Sequence, residues 1–317
     1  MSESSTAEKQ ADPAMLAEVR EGLLRLQKEI SPKYFYDHRG SLLFEEITRL
    51  PEYYLTRTER ALLARVAPAL AASLRPASVV ELGAGSAEKT RILLDALNAA
   101  SLVYVPVDVS AAFLDETAAR LRAEYPGLRV APAVVDLSDY VAPRGIPHPT
   151  LTAFLGSTIG NFGDDAAVKL LRRVRAGMRG EDRLLLGADL VKDVAVIEAA
   201  YNDAQGVTAA FNRNMLRVLN HELGATFDPE AFEHWAFYNA TAGRIEMHLV
   251  ATADQCVGIP GVGTIPVRRG ESIRTEVSNK YDRPRLTRML RAAGLVIEGW
   301  ETDDAGGYAL VVAAPCA

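Results

Sequence analysis

Residues 78 to 91 read Ser-Val-Val-Glu-Leu-Gly-Ala-Gly-Ser-Ala-Glu-Lys-Thr-Arg: a β-branched apolar run, two glycines one residue apart, and a charged segment that opens a helix. Strand, glycine turn and helix in that order predict a nucleotide-type site, because glycine lets backbone approach a ligand and a helix start offers free N–H groups. The segment nearly spells the phosphate-cradling loop G-x-x-x-x-G-K-[ST], but Glu88 stands where the second glycine belongs. A carboxylate there would face the phosphates it should bind. The dinucleotide pattern G-x-G-x-x-G fails at the same residue. What remains is a nucleoside ligand without a phosphate chain.

Beyond the turn, short apolar runs at 79–82, 103–107, 130–135, 151–155 and 184–188 alternate with helix-like stretches at 88–99, 110–124 and 164–178. Alternation of this kind predicts a parallel sheet with crossover helices. About ninety residues of different texture, 191–281, interrupt it. A helix at 283–293 and strands at 295–300 and 308–313 follow, and the short turn between those strands makes them antiparallel. The expected fold is α/β, a seven-stranded Rossmann-like sheet of the class I methyltransferase type. The domain expected to carry that sheet covers 58–190 plus 282–317. A second, substrate-recognition domain is expected from the N-terminal helices and the late insertion, 13–57 plus 191–281, after a disordered tail over 1–12.

At 317 residues the chain can bury a large core, and its net charge of −6 opposes a nucleic-acid or anionic-membrane footprint. No 18-residue apolar run and no signal-peptide hydrophobic region is present, so a cytoplasmic protein is expected, acting as a monomer on a small molecule. Two cysteines, Cys256 and Cys316, give neither a disulfide framework nor a CxxC site. His221-Glu222 begins like HExxH, but residue 225 is Ala, and the five histidines lack ligand spacing; no metal is expected. Gly156-Ser157-Thr158 is no nucleophile elbow, since Thr158 stands where the serine would be.

Ligands in such sheets sit at the carboxyl ends of the strands. Gly83 and Gly85 end the first strand, Asp108 the second and Asp136 the third. Asp108 suits a ribose diol, Asp136 an adenine amino group with Leu137 beside it, and Lys89 a ligand carboxylate. The commonest phosphate-free nucleoside ligand of that shape is S-adenosyl-L-methionine. Each residue taken singly is as well explained by helix capping or a solvated surface; the set favours the cofactor site.

Four segments carry more specific information: Tyr34-Phe-Tyr-Asp37, Leu50-Pro-Glu-Tyr-Tyr-Leu-Thr-Arg-Thr-Glu59, Phe154-Leu-Gly-Ser-Thr-Ile-Gly-Asn161 and Gly206-Val-Thr-Ala-Ala-Phe-Asn-Arg-Asn214. With Arg244-Ile-Glu-Met247 and Thr275-Glu-Val-Ser278, they closely resemble the L-histidine Nα-methyltransferases of ergothioneine biosynthesis, from about residue 18 to the end. The resemblance implies a metal-free, S-adenosylmethionine-dependent conversion of histidine, through its mono- and dimethyl forms, to the trimethyl betaine hercynine. It implies that Asn161 and Tyr201 hold the substrate carboxylate and that Tyr53, Glu276 and Ser278 hold the imidazole. Gly156 and Thr158 would line the floor near the amine, with Tyr36 close to it as the candidate catalytic residue, taking the amine's proton through water unless bulk water does so, and Met247 is carried over as a further substrate contact. The cofactor positions match as well: Gly83, Lys89, Asp108, Asp136 and Leu137.

These types suit the chemistry. An amide and a phenol can bind a carboxylate without neutralising the amine, and a carboxylate with a hydroxyl can meet both ring nitrogens. A related enzyme acting on another amino acid or on a ring nitrogen is the alternative, and a non-catalytic adenosine-ligand sensor the rival of another class. Without the resemblance, Tyr53 reads as a core tyrosine, Ser278 as a strand-surface hydroxyl and Met247 as packing; Glu276 in its Val- and Thr-containing run is harder to dismiss, though a solvated strand face explains it too.

Overall fold

The computed structural model describes residues 12–97 and 99–316; all but the last residue of the expected tail, Asp12, lies outside them. The main sheet runs, in spatial order, Leu295–Thr302, Tyr308–Pro315, Arg183–Asp189, Thr150–Phe154, Ser78–Leu82, Val103–Asp108, and a last position shared by Arg129–Val130 and Ala133–Val134. Every pairing is parallel except the two made by Tyr308–Pro315. The chain therefore forms the expected doubly wound sheet closed by one antiparallel hairpin. Helices cover both faces, so the central strand Ser78–Leu82 is buried at every position and reads as an unbroken apolar run rather than an alternation.

One expected strand differs. The run 130–135 is two short pieces, Arg129–Val130 and Ala133–Val134, so this sheet counts eight strands where seven were expected. Both pieces pair with Val103–Asp108 at the same offset, which places Pro132 opposite Pro106. Neither proline has an N–H, so the ladder lapses there without slipping register.

The 191–281 stretch, together with the N-terminal segment, builds a second layer. Its sheet orders Lys28–Glu29, Ser272–Asn279, Arg244–Ala251 and Phe232–Asn239, beside a separate hairpin of Gln255–Ile259 and Gly263–Val267. Helix Val207–Leu223 buries Phe211, Met215, Leu216 and Leu219 against it. The 21-residue helix Tyr54–Leu74 joins the layers: Leu55 packs in the second core, while Leu62 and Leu63 pack under the main sheet.

A β-bulge in Ser272–Asn279 decides which side chains of that strand face inward. Arg274 pairs with His248, but the next partner, Met247, pairs with Glu276, leaving Thr275 unpaired. One extra residue reverses the alternation beyond it. Glu276 and Ser278 thereby share the face of Ile273, a core residue, and lie opposite Met247 and Ile245. Thr275 is held in the bulge by its hydroxyl, whose one proton is shared between Asn212 Oδ1 at 2.6 Å and the Met247 carbonyl at 3.1 Å.

Candidate functional site

A cavity of about 920 Å³ opens where the carboxyl ends of the main strands meet the second layer. The glycine turn forms one wall. Gly83 and Gly85 have φ of +70° and +50°, and nothing lies within 4 Å of where a Gly85 side chain would begin. That wall is bare backbone open to a ligand, as a nucleoside site requires. Asp108 is fixed beside it, accepting from Gly85 N at 2.9 Å and Ser110 N at 3.1 Å. Asp136 accepts from Ser138 N at 2.9 Å and pairs with Lys33, from the second layer, at 3.0 Å. Those two bonds hold its carboxyl below the usual range although burial pushes the other way. Leu137, Lys89 and Glu81 complete this half.

Glu59 organises the junction between the halves. Its buried carboxylate receives Lys89 Nζ at 2.6 Å, the Tyr308 hydroxyl at 2.6 Å and the Gly156 N–H at 2.8 Å on both oxygens. Gly156 has φ +76°, and a side chain there would begin 2.9 Å from Lys89 Nζ. Thr158 and Asn161 follow on a short 3-10 turn, Thr158–Asn161, pinned by Asn279 Nδ2 on the carbonyls of Gly160 and Phe162 at 2.8 and 2.9 Å. Thr158 spends its proton on the Leu155 carbonyl at 2.9 Å, so its oxygen faces the cavity as an acceptor.

The far half is aromatic. Tyr36, Phe44, Tyr53 and Tyr201 line it, Tyr53 meeting Phe44 and Tyr201 edge-on at centroid distances of 6.2 and 6.5 Å. Burial pushes the Tyr36 and Tyr53 phenols well above their ordinary value, so both hold their protons. Glu276 lies among them, and among the described residues none bonds its carboxylate. Loss of hydration pushes it up to about 7, Lys280 pulling the other way. An enclosed carboxylate of this kind calls for a donor from a ligand.

The cavity thus brings together Tyr36, Tyr53, Gly83, Gly85, Lys89, Asp108, Asp136, Leu137, Gly156, Thr158, Asn161, Tyr201, Glu276 and Ser278. Met247 stands apart: it is buried in the second core opposite Glu276 and does not line the cavity. Sequence reasoning passed over Glu59, Lys280, Asp189 and Lys33. The available signal for Lys280 was its spacing, since Glu276, Ser278 and Lys280 alternate along one run. Among the described residues no group of three or more His, Cys, Asp or Glu side chains is placed to hold a metal ion, and no helix is long and apolar enough to cross a membrane.

A family model described as a histidine-specific, SAM-dependent methyltransferase matches residues 15–315. The chain is 43% identical over 308 residues to the histidine N-alpha-methyltransferase of Mycolicibacterium smegmatis, spanning 96% of this chain and 95% of that protein. It is 31% identical over 280 residues to ergothioneine biosynthesis protein 1 of Neurospora crassa, 84% of this chain but 31% of that longer protein. A crystal structure of an S-adenosylmethionine-dependent methyltransferase from Clostridium acetobutylicum shares the fold, with a TM-score of 0.52 at 11% identity over 86% of this chain and 98% of that one.

Proposed function

The chain belongs to the histidine-specific, S-adenosylmethionine-dependent methyltransferases, and from that premise we propose that it methylates the α-amine of L-histidine to Nα,Nα,Nα-trimethyl-L-histidine, the first step towards ergothioneine. One observation supports this most: a single cavity is shared by the open glycine turn with its two strand-end aspartates and by an enclosed, unbonded carboxylate among tyrosines.

S-adenosylmethionine, when bound, supplies a methyl on a positively charged sulfur. The turn at Gly83 and Gly85 would accommodate it against bare backbone, Asp108 would accept its ribose hydroxyls, Asp136 and Leu137 would hold the adenine, and Lys89 its carboxylate. Glu59 keeps that ammonium at the cavity wall.

On the substrate side, Asn161 and Tyr201 would donate to the carboxylate, while Glu276 accepts an imidazole N–H and Ser278 meets the second nitrogen, Tyr53 closing over the ring. The acceptor oxygens of Thr158 and Tyr36 suit the two N–H bonds of a neutral amine, leaving its lone pair free to attack. Tyr36 acts by orientation, because a phenol whose pKa burial has raised cannot take the amine's proton at neutral pH. The proton leaves to water before each transfer. Methyl transfer from a sulfonium to a neutral amine creates no new charge, so positioning would contribute more than acid or base catalysis.

The test is mass spectrometry of the protein incubated with S-adenosylmethionine and the twenty amino acids. A histidine product heavier by three methyls is expected, and its absence refutes the proposal. Glu276→Ala should abolish histidine turnover while cofactor affinity stays unchanged; loss of both would mean that Glu276 supports the fold rather than the ring.

A further inference from the structure

A substrate carboxylate needs a countercharge, yet among the described residues each cation on the cavity wall already has a protein partner. Lys33 pairs with Glu18 and Asp136, Lys89 with Glu59, Arg60 with Glu88 and Arg49 with Glu45. Arg57 donates to the carbonyls of Leu50, Pro51 and Tyr53. Asn161 and Tyr201 are neutral. Directly behind Tyr201, however, lies Lys280, with a side chain 0% exposed. Its ammonium donates to Asp189 Oδ2 at 2.9 Å, Ser278 Oγ at 3.0 Å and the Tyr201 hydroxyl at 3.2 Å, which spends all three of its protons.

We propose that Lys280 is a positioning residue for the substrate's carboxylate: through the hydroxyl of Tyr201 it delivers positive charge to a subsite whose own lining, Asn161 and Tyr201, is neutral. The inference rests on reading the cavity as the histidine site. An ammonium only donates, so the Tyr201 oxygen is committed as its acceptor and the phenol's own proton is left to give to an anion. In a low-dielectric interior a hydroxyl polarised in this way is a stronger donor.

The charge balance agrees. Asp189, itself 0% exposed, faces two ammonium groups, Lys280 and Lys192, and also accepts from the Tyr54 hydroxyl at 2.7 Å. Asp189 is thus shared between two ammonium groups and does not neutralise Lys280 alone, while Lys192, with a side chain 15% exposed, also faces Asp303. Burial works against the Lys280 charge, but Asp189 and Tyr201 outweigh it and hold the pKa above its ordinary value, so the charge persists at neutral pH. Glu276 and Tyr201 are the titratable groups facing Lys280 from the cavity side.

A lysine that only neutralised Asp189 would support the fold without regard to the ligand. The two roles separate with a pair of ligands, L-histidine and L-histidinol, which keeps the ring and amine but replaces the carboxylate by an alcohol. In Lys280→Met, affinity for histidine, measured calorimetrically, should fall by about thirtyfold or more and that for histidinol by less than about threefold, with the cofactor affinity unchanged. Lys280→Arg should recover part of the preference. Equal losses for both ligands overturn the inference. Should Lys280→Met fail to fold, the neutral pair Asp189→Asn with Lys280→Met removes both charges together and is read by the same ratio; a wild-type preference for histidine in that variant also overturns it. A wild-type protein that leaves histidine unmethylated would refute the functional reading and the inference with it.

Discussion

Gly187→Ala probes the Glu59 junction with one methyl group. Gly187 sits within the strand Arg183–Asp189 and has no positive φ, so alanine meets no backbone strain there. The added Cβ, however, would overlap Glu59 Oε1 and lie 2.8 Å from the Tyr308 hydroxyl. Clearing it requires the carboxylate to retreat by on the order of 1 Å, given a normal non-bonded approach of about 3.5 Å. Its bonds to Gly156 N, the Tyr308 hydroxyl and Lys89 now span 2.6–2.8 Å, and hydrogen bonds fade beyond about 3.2 Å. Breaking a buried charged contact on one side costs about 3–5 kcal/mol. Against a total stability of about 5–15 kcal/mol the variant should survive with a loss of about 3 kcal/mol, or roughly 5 °C in melting midpoint. Urea unfolding reads the loss, and the KM for S-adenosylmethionine should rise by about tenfold as Lys89 and Gly156 shift. Adding Glu59→Asp, one methylene shorter, should recover half of the stability or more. A Gly187→Ala protein within about 1 kcal/mol of wild type, or a Glu59→Asp change that only adds its own loss, would refute the reasoning.

Glu81 is pushed up to about 7 by burial, against the bonds from Thr90 and Tyr104. A carboxyl whose folded pKa is raised contributes stability that is complete below its unfolded pKa of about 4.5 and is lost as the pH rises through about 7. Glu81→Gln should therefore lose less unfolding free energy than wild type between about pH 5 and pH 8; equal slopes in urea titrations contradict this. If Asp136 holds the adenine as proposed, Lys33 competes with it through a part-exposed ion pair worth up to about 1 kcal/mol. Lys33→Ala should accordingly tighten S-adenosylmethionine binding by up to about fivefold, and weaker binding in calorimetry would show that Lys33 belongs to the ligand site instead.

The main sheet was legible because its signals are local: apolar runs, a glycine turn and strand-end aspartates each lie within a few residues. Its one misread strand failed for a pairwise reason, since Pro132 breaks the ladder only by facing Pro106 across a register that no single segment contains. The strands of the second layer, 191–281, were read only as texture, and the inward face of Ser272–Asn279 is set by a bulge. Glu276 looks like a solvated strand position until Thr275 is seen to be unpaired. Met247 carries the opposite lesson. Its motif sits beside the contacts, but its side chain is part of the core beneath them. Glu59 and Lys280 were missed for a common reason: buried charges are recognised by their partners, and those partners lie 30 and 97 residues from Glu59 and, apart from neighbouring Ser278, 79 and 91 from Lys280.

The bulge at Thr275 also constrains how this pocket can change over time. Glu276, Ser278 and Lys280 all lie downstream of it, so a gain or loss of one residue there would turn the three together, removing ring acceptor, hydroxyl and charge in one step. Backbone slippage is thus closed as a gradual route to new substrates. Altered selectivity has to arise by side-chain replacement at fixed register, which on the proposed assignment would let the ring pocket diverge while the amino-acid end, backed by the Lys280–Asp189 pair between the layers, stays in place.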